Sequence, residues 1–323
     1  MPSLITLGSM SALGFGGMQQ NNCSVVASIV TASSGYVSGA CGGGFFWAST
    51  LQDISESNMT VNYPTNYSEA PVAFLTSVFA PEAVTVGMST YYNQISEVYK
   101  DYMILNGNSE YGTMPPSNST AWVFGIFDSA ATLGSYGSST RTGLSFPGAN
   151  TVKLAGKKMY YQTTTNVPYD TNVIFDIPNL NNPSFGASYW NDSDVPDLYP
   201  TIISQNNSQV TGALINDGTA GPGPGFQLLA IESGYYGPVL VQAFLISDLN
   251  YIHNETGYFS FPIEFPNACF MVFPTPQCNS ATYGSPGPVV VNITKSGCSL
   301  YFTSSQYRNE QTVTGIYFIV IGN

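Results

Sequence analysis

The stretch FSFPIEFPNACFMVFPTP, residues 259–276, decides the fold class. In YFSFPIEF, aromatic and aliphatic side chains alternate with polar ones, the period of a strand with one buried face. The proline after the aromatic, Pro262, cannot donate to a ladder and sits at a strand edge or bulge. Two other stretches share the outline of an extended run, an aromatic or Ile before Pro, and a second apolar strand. They are VNYPTNYSEAPVAFLTSVF (61–79) and IFDIPNLNNPSFGASYW (174–190). The marker pairs are Tyr63-Pro64, Ile177-Pro178 and Phe261-Pro262.

Each stretch is followed by an irregular loop and then by alternating runs, SEVYKDYMILNG (96–107), TIISQNNSQVTGALIND (201–217) and VVVNITKSGCSLYFTSS (289–305). Closing apolar strands follow at AWVFGIFD (121–128), GFQLLAIE (225–232) and GIYFIVIG (315–322). Leading strands recur at GFFWASTL (44–51), KMYYQTTT (158–165) and VLVQAFLIS (239–247). Fixed-order repetition of short strands with Gly/Pro turns is the pattern of small antiparallel sandwiches. The reading is an all-β chain of tandem small antiparallel β-sandwich modules, three weakly similar units, with an irregular N-terminal arm. The boundaries are 1–43 for the arm, 44–129 for unit 1, 130–157 for a connector, 158–233 for unit 2 and 234–323 for unit 3.

Composition narrows the function. Only 8% of the 323 residues are charged, and the net charge is −12 with seven Lys plus Arg. A phosphate-tracking surface needs clustered cations, so no nucleic-acid partner is expected. No run reaches the length of a spanning helix, and no membrane insertion is expected. The five cysteines, Cys23, Cys41, Cys269, Cys278 and Cys298, lack zinc or redox spacing and read as buried small hydrophobes. Their spacing leaves a Cys23–Cys41 or Cys269–Cys278 bridge open. The first 52 residues carry no charge and no basic leader with an apolar core, so no secretory signal is read.

The C-terminal unit carries a recognisable pattern. The strand from Phe261 to Cys269, the hairpin from Ile293 to Phe302 and the closing strand from Ile316 to Gly322 resemble the C-terminal knob of phage tail-fibre proteins. In that closing strand the family's usual Trp or Tyr stands as Tyr317 and its Ala as Val320. The two upstream units diverge from the pattern, and the chain has no long shaft repeats. The resemblance implies a homotrimeric receptor-binding β-sandwich at a fibre tip. It implies a virion location in the phage tail after assembly in the host cytoplasm.

The candidate chemistry follows from the loops. Sugar sites combine aromatic faces with amides and charged groups in loop-lined clefts. CNSATYGSPG (278–287) offers Asn279 and Tyr283, and SSQYRNEQ (304–311) offers Gln306, Tyr307, Arg308 and Asn309. These six are the expected receptor-binding residues for a host surface glycan or protein. Tyr91-Tyr92 and Tyr189-Trp190 are expected in matching loops of the other units. WNDSDVPDLYP (190–200) brings Asp192, Asp194 and Asp197 together, a weak Ca²⁺ candidate without the Gly and final Glu of an EF-hand. The single histidine, His253, near Asp248 and Glu255, has no partner set for a zinc site or a catalytic triad. No enzyme activity, catalytic residue or cofactor is expected. Small units rich in Tyr, Phe and Val must cover their excess apolar surface, so a homotrimer is expected. Residues 1–43 are expected to attach the chain to other tail proteins. The alternative reading is a purely structural virion protein, a capsid decoration or tail adaptor without receptor contact.

Overall fold

In all three marker pairs the residue before the proline closes a strand with its last backbone donor. Tyr63 N–H donates to the Asp101 carbonyl at 3.0 Å, Ile177 N–H to Ser208 at 2.8 Å and Phe261 N–H to Ser296 at 2.8 Å. The next residue needs no donor, which is why proline fits there. These contacts come from a computed structural model. It describes residues 25–31, 33–39, 43–50, 59–67, 70–78, 91–109, 120–127, 140–142, 149–164, 167–168, 170–190, 198–216, 225–251, 255–279, 287–302 and 312–323.

Among the described residues every regular element is a β-strand. The chain opens with β1 (Val25–Thr31) and β2 (Ser34–Gly39). A first set of strands is β3 (Gly44–Ser49), β4 (Met59–Asn62), β5 (Val72–Val78), β6 (Tyr91–Tyr99), β7 (Tyr102–Ser109) and β8 (Thr120–Phe127). After β9 (Thr140–Thr142) and β10 (Ala149–Leu154) comes a second set. It comprises β11 (Lys157–Thr163), β12 (Asn172–Asp176), β13 (Pro183–Trp190), β14 (Leu198–Gln205), β15 (Gln209–Asn216) and β16 (Gly225–Glu232). After β17 (Gly234–Tyr236) a third set comprises β18 (Val239–Tyr251), β19 (Thr256–Ser260), β20 (Cys269–Cys278), β21 (Pro288–Ile293), β22 (Gly297–Phe302) and β23 (Val313–Gly322).

The sets do not make separate sheets. One sheet runs β1-β2-β3-β8-β5-β21-β22-β19, the second β10-β11-β16-β13-β6-β7-β4, and the third β12-β15-β14-β20-β23-β18-β17. Each sheet thus joins three antiparallel strands of one set to a hairpin and edge strand of another. The joints are parallel bridges at one residue pair each: Ile95 with Trp190, Ile202 with Gln277, and Val290 with Val78. Every hairpin carries a β-bulge directly after its bridging residue, between Ile95 and Glu97, Ile202 and Ser204, and Val290 and Asn292. A bulge bends and twists its strand. Here it sits where the hairpin leaves the neighbouring strand, which accounts for pairing that does not continue.

The sequence explains the packing. Strand residues of one parity fill a core inside each set. Phe46, Val61, Ile95, Met103 and Val123 fill the first, Phe175, Phe185, Ile202, Leu214 and Leu228 the second, and Phe259, Val290, Leu300, Ile316 and Phe318 the third. Residues of the other parity meet in a central core shared by all three sets. It includes Phe45, Trp47 and Phe74, then Met159, Tyr161 and Leu229, then Val241, Phe273 and Ile319. That is why the strands read as nearly continuous apolar runs: β16 is buried at every position, on both faces.

Two stretches differ from the sequence reading. Residues 25–39 were assigned to an irregular arm, yet β1 and β2 pair with each other and β2 pairs with β3. Val25, Ala27 and Ile29 pack against the central core. The small residues there serve close packing. A Cβ on Gly35 would lie 2.2 Å from the Trp47 ring, so the low hydrophobic contrast of this segment conceals a strand. Residues 130–157 were assigned to a connector, yet they hold β9, which pairs with β6, and β10, which pairs with β11.

A buried carboxylate ties separate segments of the second set together. Glu232, 6% exposed, accepts Lys158 N–H at 2.9 Å and Asn181 N–H at 2.8 Å. Its backbone carbonyl accepts the Tyr236 hydroxyl at 2.8 Å. Glu232→Ala strands two amide donors and is expected to lower unfolding free energy by about 2–3 kcal/mol, read by urea denaturation. A loss under about 0.5 kcal/mol would show that water replaces the carboxylate.

Candidate functional site

The loops expected to bind a receptor are held by the strand ends of the third set. The first leaves β20 after Cys278 and enters β21 at Pro288. The second leaves β22 after Phe302 and enters β23 at Val313. Cys278 is paired with Val313, and Pro288 with Phe302. Both loops therefore begin and end at residues that are ladder partners.

The strand ends that anchor them rest on packed aromatic rings. Phe302 stacks on Tyr251 at 4.8 Å and packs edge-on to Phe259. Phe318 stacks on Phe244 at 5.0 Å. Val290, Leu300 and Ile316 complete the core under the strand ends. Such aromatic pairs fix ring positions and leave the loop anchors little freedom.

Of the six expected binding residues, Asn279 lies at an exposed bend just past β20. Tyr283, Gln306, Tyr307, Arg308 and Asn309 lie outside the described residues. So do Asp192, Asp194 and Asp197, and so does His253. Asp248 stands at a break in the β18–β23 register with a left-handed φ of 60° and accepts the Ser247 hydroxyl at 3.1 Å. Glu255 gives its backbone carbonyl to Phe302 N–H.

The aromatic pairs expected in matching loops are instead on strands. Tyr91 and Tyr92 begin β6, and Tyr189 and Trp190 end β13. Tyr189 is buried in the core of the second set. Alternation in a buried strand exposes no loop signal, and two adjacent aromatics read equally as either.

The described thiols are structural, and Cys23 and Cys41, whose pairing the spacing left open, lie outside the described residues. Cys269 is free, so the 269–278 bridge that the spacing left open is not formed. Burial pushes the Cys298 thiol up to about 12, so it stays protonated and unreactive at neutral pH. Burial, with the neighbouring Cys298 second, raises Cys269 as well. Tyrosines behave alike. Burial raises Tyr317 from 10.0 to about 12 and Tyr236 well above its ordinary value. Unfolded tyrosine titrates lower than folded Tyr317, so its stabilising contribution is full below pH 10 and is lost as pH rises from 10 through 12. Alkaline unfolding is expected in that window, with the phenolate absorbance at Tyr317 appearing together with loss of structure. A Tyr317 phenolate signal, taken as the difference from Tyr317→Phe, that rises well before unfolding would contradict it.

Sequence reasoning missed one polar feature of the interior. Thr76, Ser188 and Thr275 are buried at the same position of β5, β13 and β20, each two residues before the end of the antiparallel ladder or its bridge. The Thr275 hydroxyl oxygen accepts Ala187 N–H at 3.0 Å, and the Ser188 hydroxyl donates to Gln227 at 3.0 Å. Repetition of a small hydroxyl residue at one register position was the available signal.

No curated protein and no solved structure gives a significant match to the chain. Residues 248–323 match the family model described as "Putative tail fiber protein gp53-like, C-terminal". The match spans the end of β18 and all of β19 to β23, the elements that carry the paired loops. The C-terminal part of this all-β chain thus resembles the C-terminal domain of phage tail-fibre proteins, a structural family of the phage virion.

Proposed function

We propose that the chain is a tail-fibre or tail-tip component that touches the host surface during adsorption. The family match over residues 248–323 supports this reading, and it covers the strands from which the two loops leave. In this reading Asn279, Tyr283, Gln306, Tyr307, Arg308 and Asn309 contact a surface glycan. Tyr and Arg supply the flat apolar face and the fixed donors that such ligands require, and both are enriched at binding hot spots. The uncharged stretch ahead of Val25 attaches the chain to other tail proteins, and assembly takes place in the host cytoplasm.

The test is competition for adsorption by the purified chain on candidate hosts. Tyr307→Ala and Arg308→Ala are each expected to reduce competition by tenfold or more, with the melting temperature unchanged. Competition that persists in both variants would remove these loops from the interface. A structural adaptor without receptor contact is the second reading, favoured by the compact joining of all three sheets. It predicts no competition by the unaltered chain on any host.

A further inference from the structure

The pairing of the strands closes a ring. The hairpin β6–β7 of the first set joins the sheet of the second set through Ile95 and Trp190. The hairpin β14–β15 of the second joins the sheet of the third through Ile202 and Gln277. The hairpin β21–β22 of the third returns to the sheet of the first through Val290 and Val78. The three bridging residues Val78, Trp190 and Gln277 are also equivalent within their own sheets, paired with Thr120, Gly225 and Gly315 at the start of each closing strand. The extra strand before each leading strand recurs too: β2 on β3, β10 on β11 and β17 on β18.

This is the connectivity of three subunits that exchange a hairpin around a threefold axis, made here by one chain. The centre confirms that the three parts face one another. Register places Phe74, Gly186 and Phe273 at one level, opposite Phe124, Leu229 and Ile319. A Cβ on Gly186 would lie 2.9 Å from the Phe273 ring and 3.3 Å from Ile319. Two phenylalanines fill the space, and the third position must be empty of side chain. The leading strands are likewise unequal at that level, with Trp47, Tyr161 and Ala243. Three identical chains cannot supply a large, a medium and a small residue at equivalent positions, whereas three linked, diverged segments can.

We infer that a single copy of this chain is a closed, covalently linked trimer of six-strand units, and that it is monomeric. The excess apolar surface that makes self-association expected from composition is covered inside one chain. Resting on the tail-tip reading above, one copy suffices for a threefold tip. The inference itself holds or fails independently of that reading, because its test involves no host.

The test is a cross-link across one junction. Val78→Cys with Val290→Cys places two thiols at a parallel bridge between the first and third sets. Light and heavy-nitrogen chains of this variant are mixed, unfolded, refolded together and oxidised. Expected are linked peptides of uniform isotope and a chain that runs as a single copy without reductant. Linked peptides of mixed isotope would mean that hairpins pass between chains, and would overturn the inference. Light scattering on the unaltered chain decides independently of whether the variant refolds. A mass near 34.5 kDa supports monomeric closure, and three times that value overturns it.

Discussion

Trp47→Ala is expected to lower the unfolding free energy by about 3–5 kcal/mol, the range for truncating a fully buried aromatic. Trp47 has no exposed surface. Its ring lies 5.4 Å from Phe270 at an interplanar angle of 5°, so it stacks a residue of the first set on one of the third. It also covers Gly35 of β2. Truncation therefore opens a cavity that no single sheet can collapse to fill, because its walls belong to different sheets. The measurement is urea unfolding followed by tryptophan-independent circular dichroism. Leu245→Ala, at a position 38% exposed, is the control and is expected to cost below about 1 kcal/mol. Similar losses for both would deny the central core its role.

Gly186→Phe is expected to abolish folding outright. It places a phenylalanine where two equivalent positions already hold one, against the Phe273 ring and the Ile319 methyl. Insertion of a whole ring exceeds the one or two methylenes that a packed interior absorbs at about 1–3 kcal/mol. The readout is loss of soluble protein or of a cooperative thermal transition. Gly186→Ala is expected to remain folded with a cost in that lower range, since one Cβ needs only a few tenths of an ångström from Phe273. The decisive variant is Gly186→Phe combined with Phe273→Gly, which moves the empty position from one set to another. Partial recovery of folding is expected, because the total volume at that level is restored. A freely folding Gly186→Phe single variant would mean that the three positions do not share one space.

Much of this architecture was legible from residues alone, and the part that was not has a physical cause. The marker prolines Pro64, Pro178 and Pro262 announced three copies of one strand ending, since each follows the last donor of its strand. The closing strands were visible as apolar runs because both of their faces are buried. The exchange of hairpins was not visible. It depends on a single parallel pair and a bulge at each junction, and neither leaves a period in the sequence. A hairpin such as β14–β15 has the same alternation whichever sheet it extends. β1 and β2 are hard to read because Gly35, which leaves room for the Trp47 ring, and the serines around it lower the hydrophobic contrast. Of the candidate site, the two loops were found by residue type. That their anchoring residues are partners, Cys278 with Val313 and Pro288 with Phe302, is a long-range fact that composition does not carry.

The unequal residues at the centre have a hereditary consequence. When three products of one gene meet at an axis, every codon change appears three times, and any change harmful at the axis is harmful threefold. In this chain each third has its own codons. Phe273 can be large because Gly186 has no side chain, a compensation closed to identical subunits. The outer loops inherit the same liberty: the segment after β20 can change its chemistry while the segments after β5 and β13 keep theirs. One molecule can thus present three different faces, and selection can act on each face separately.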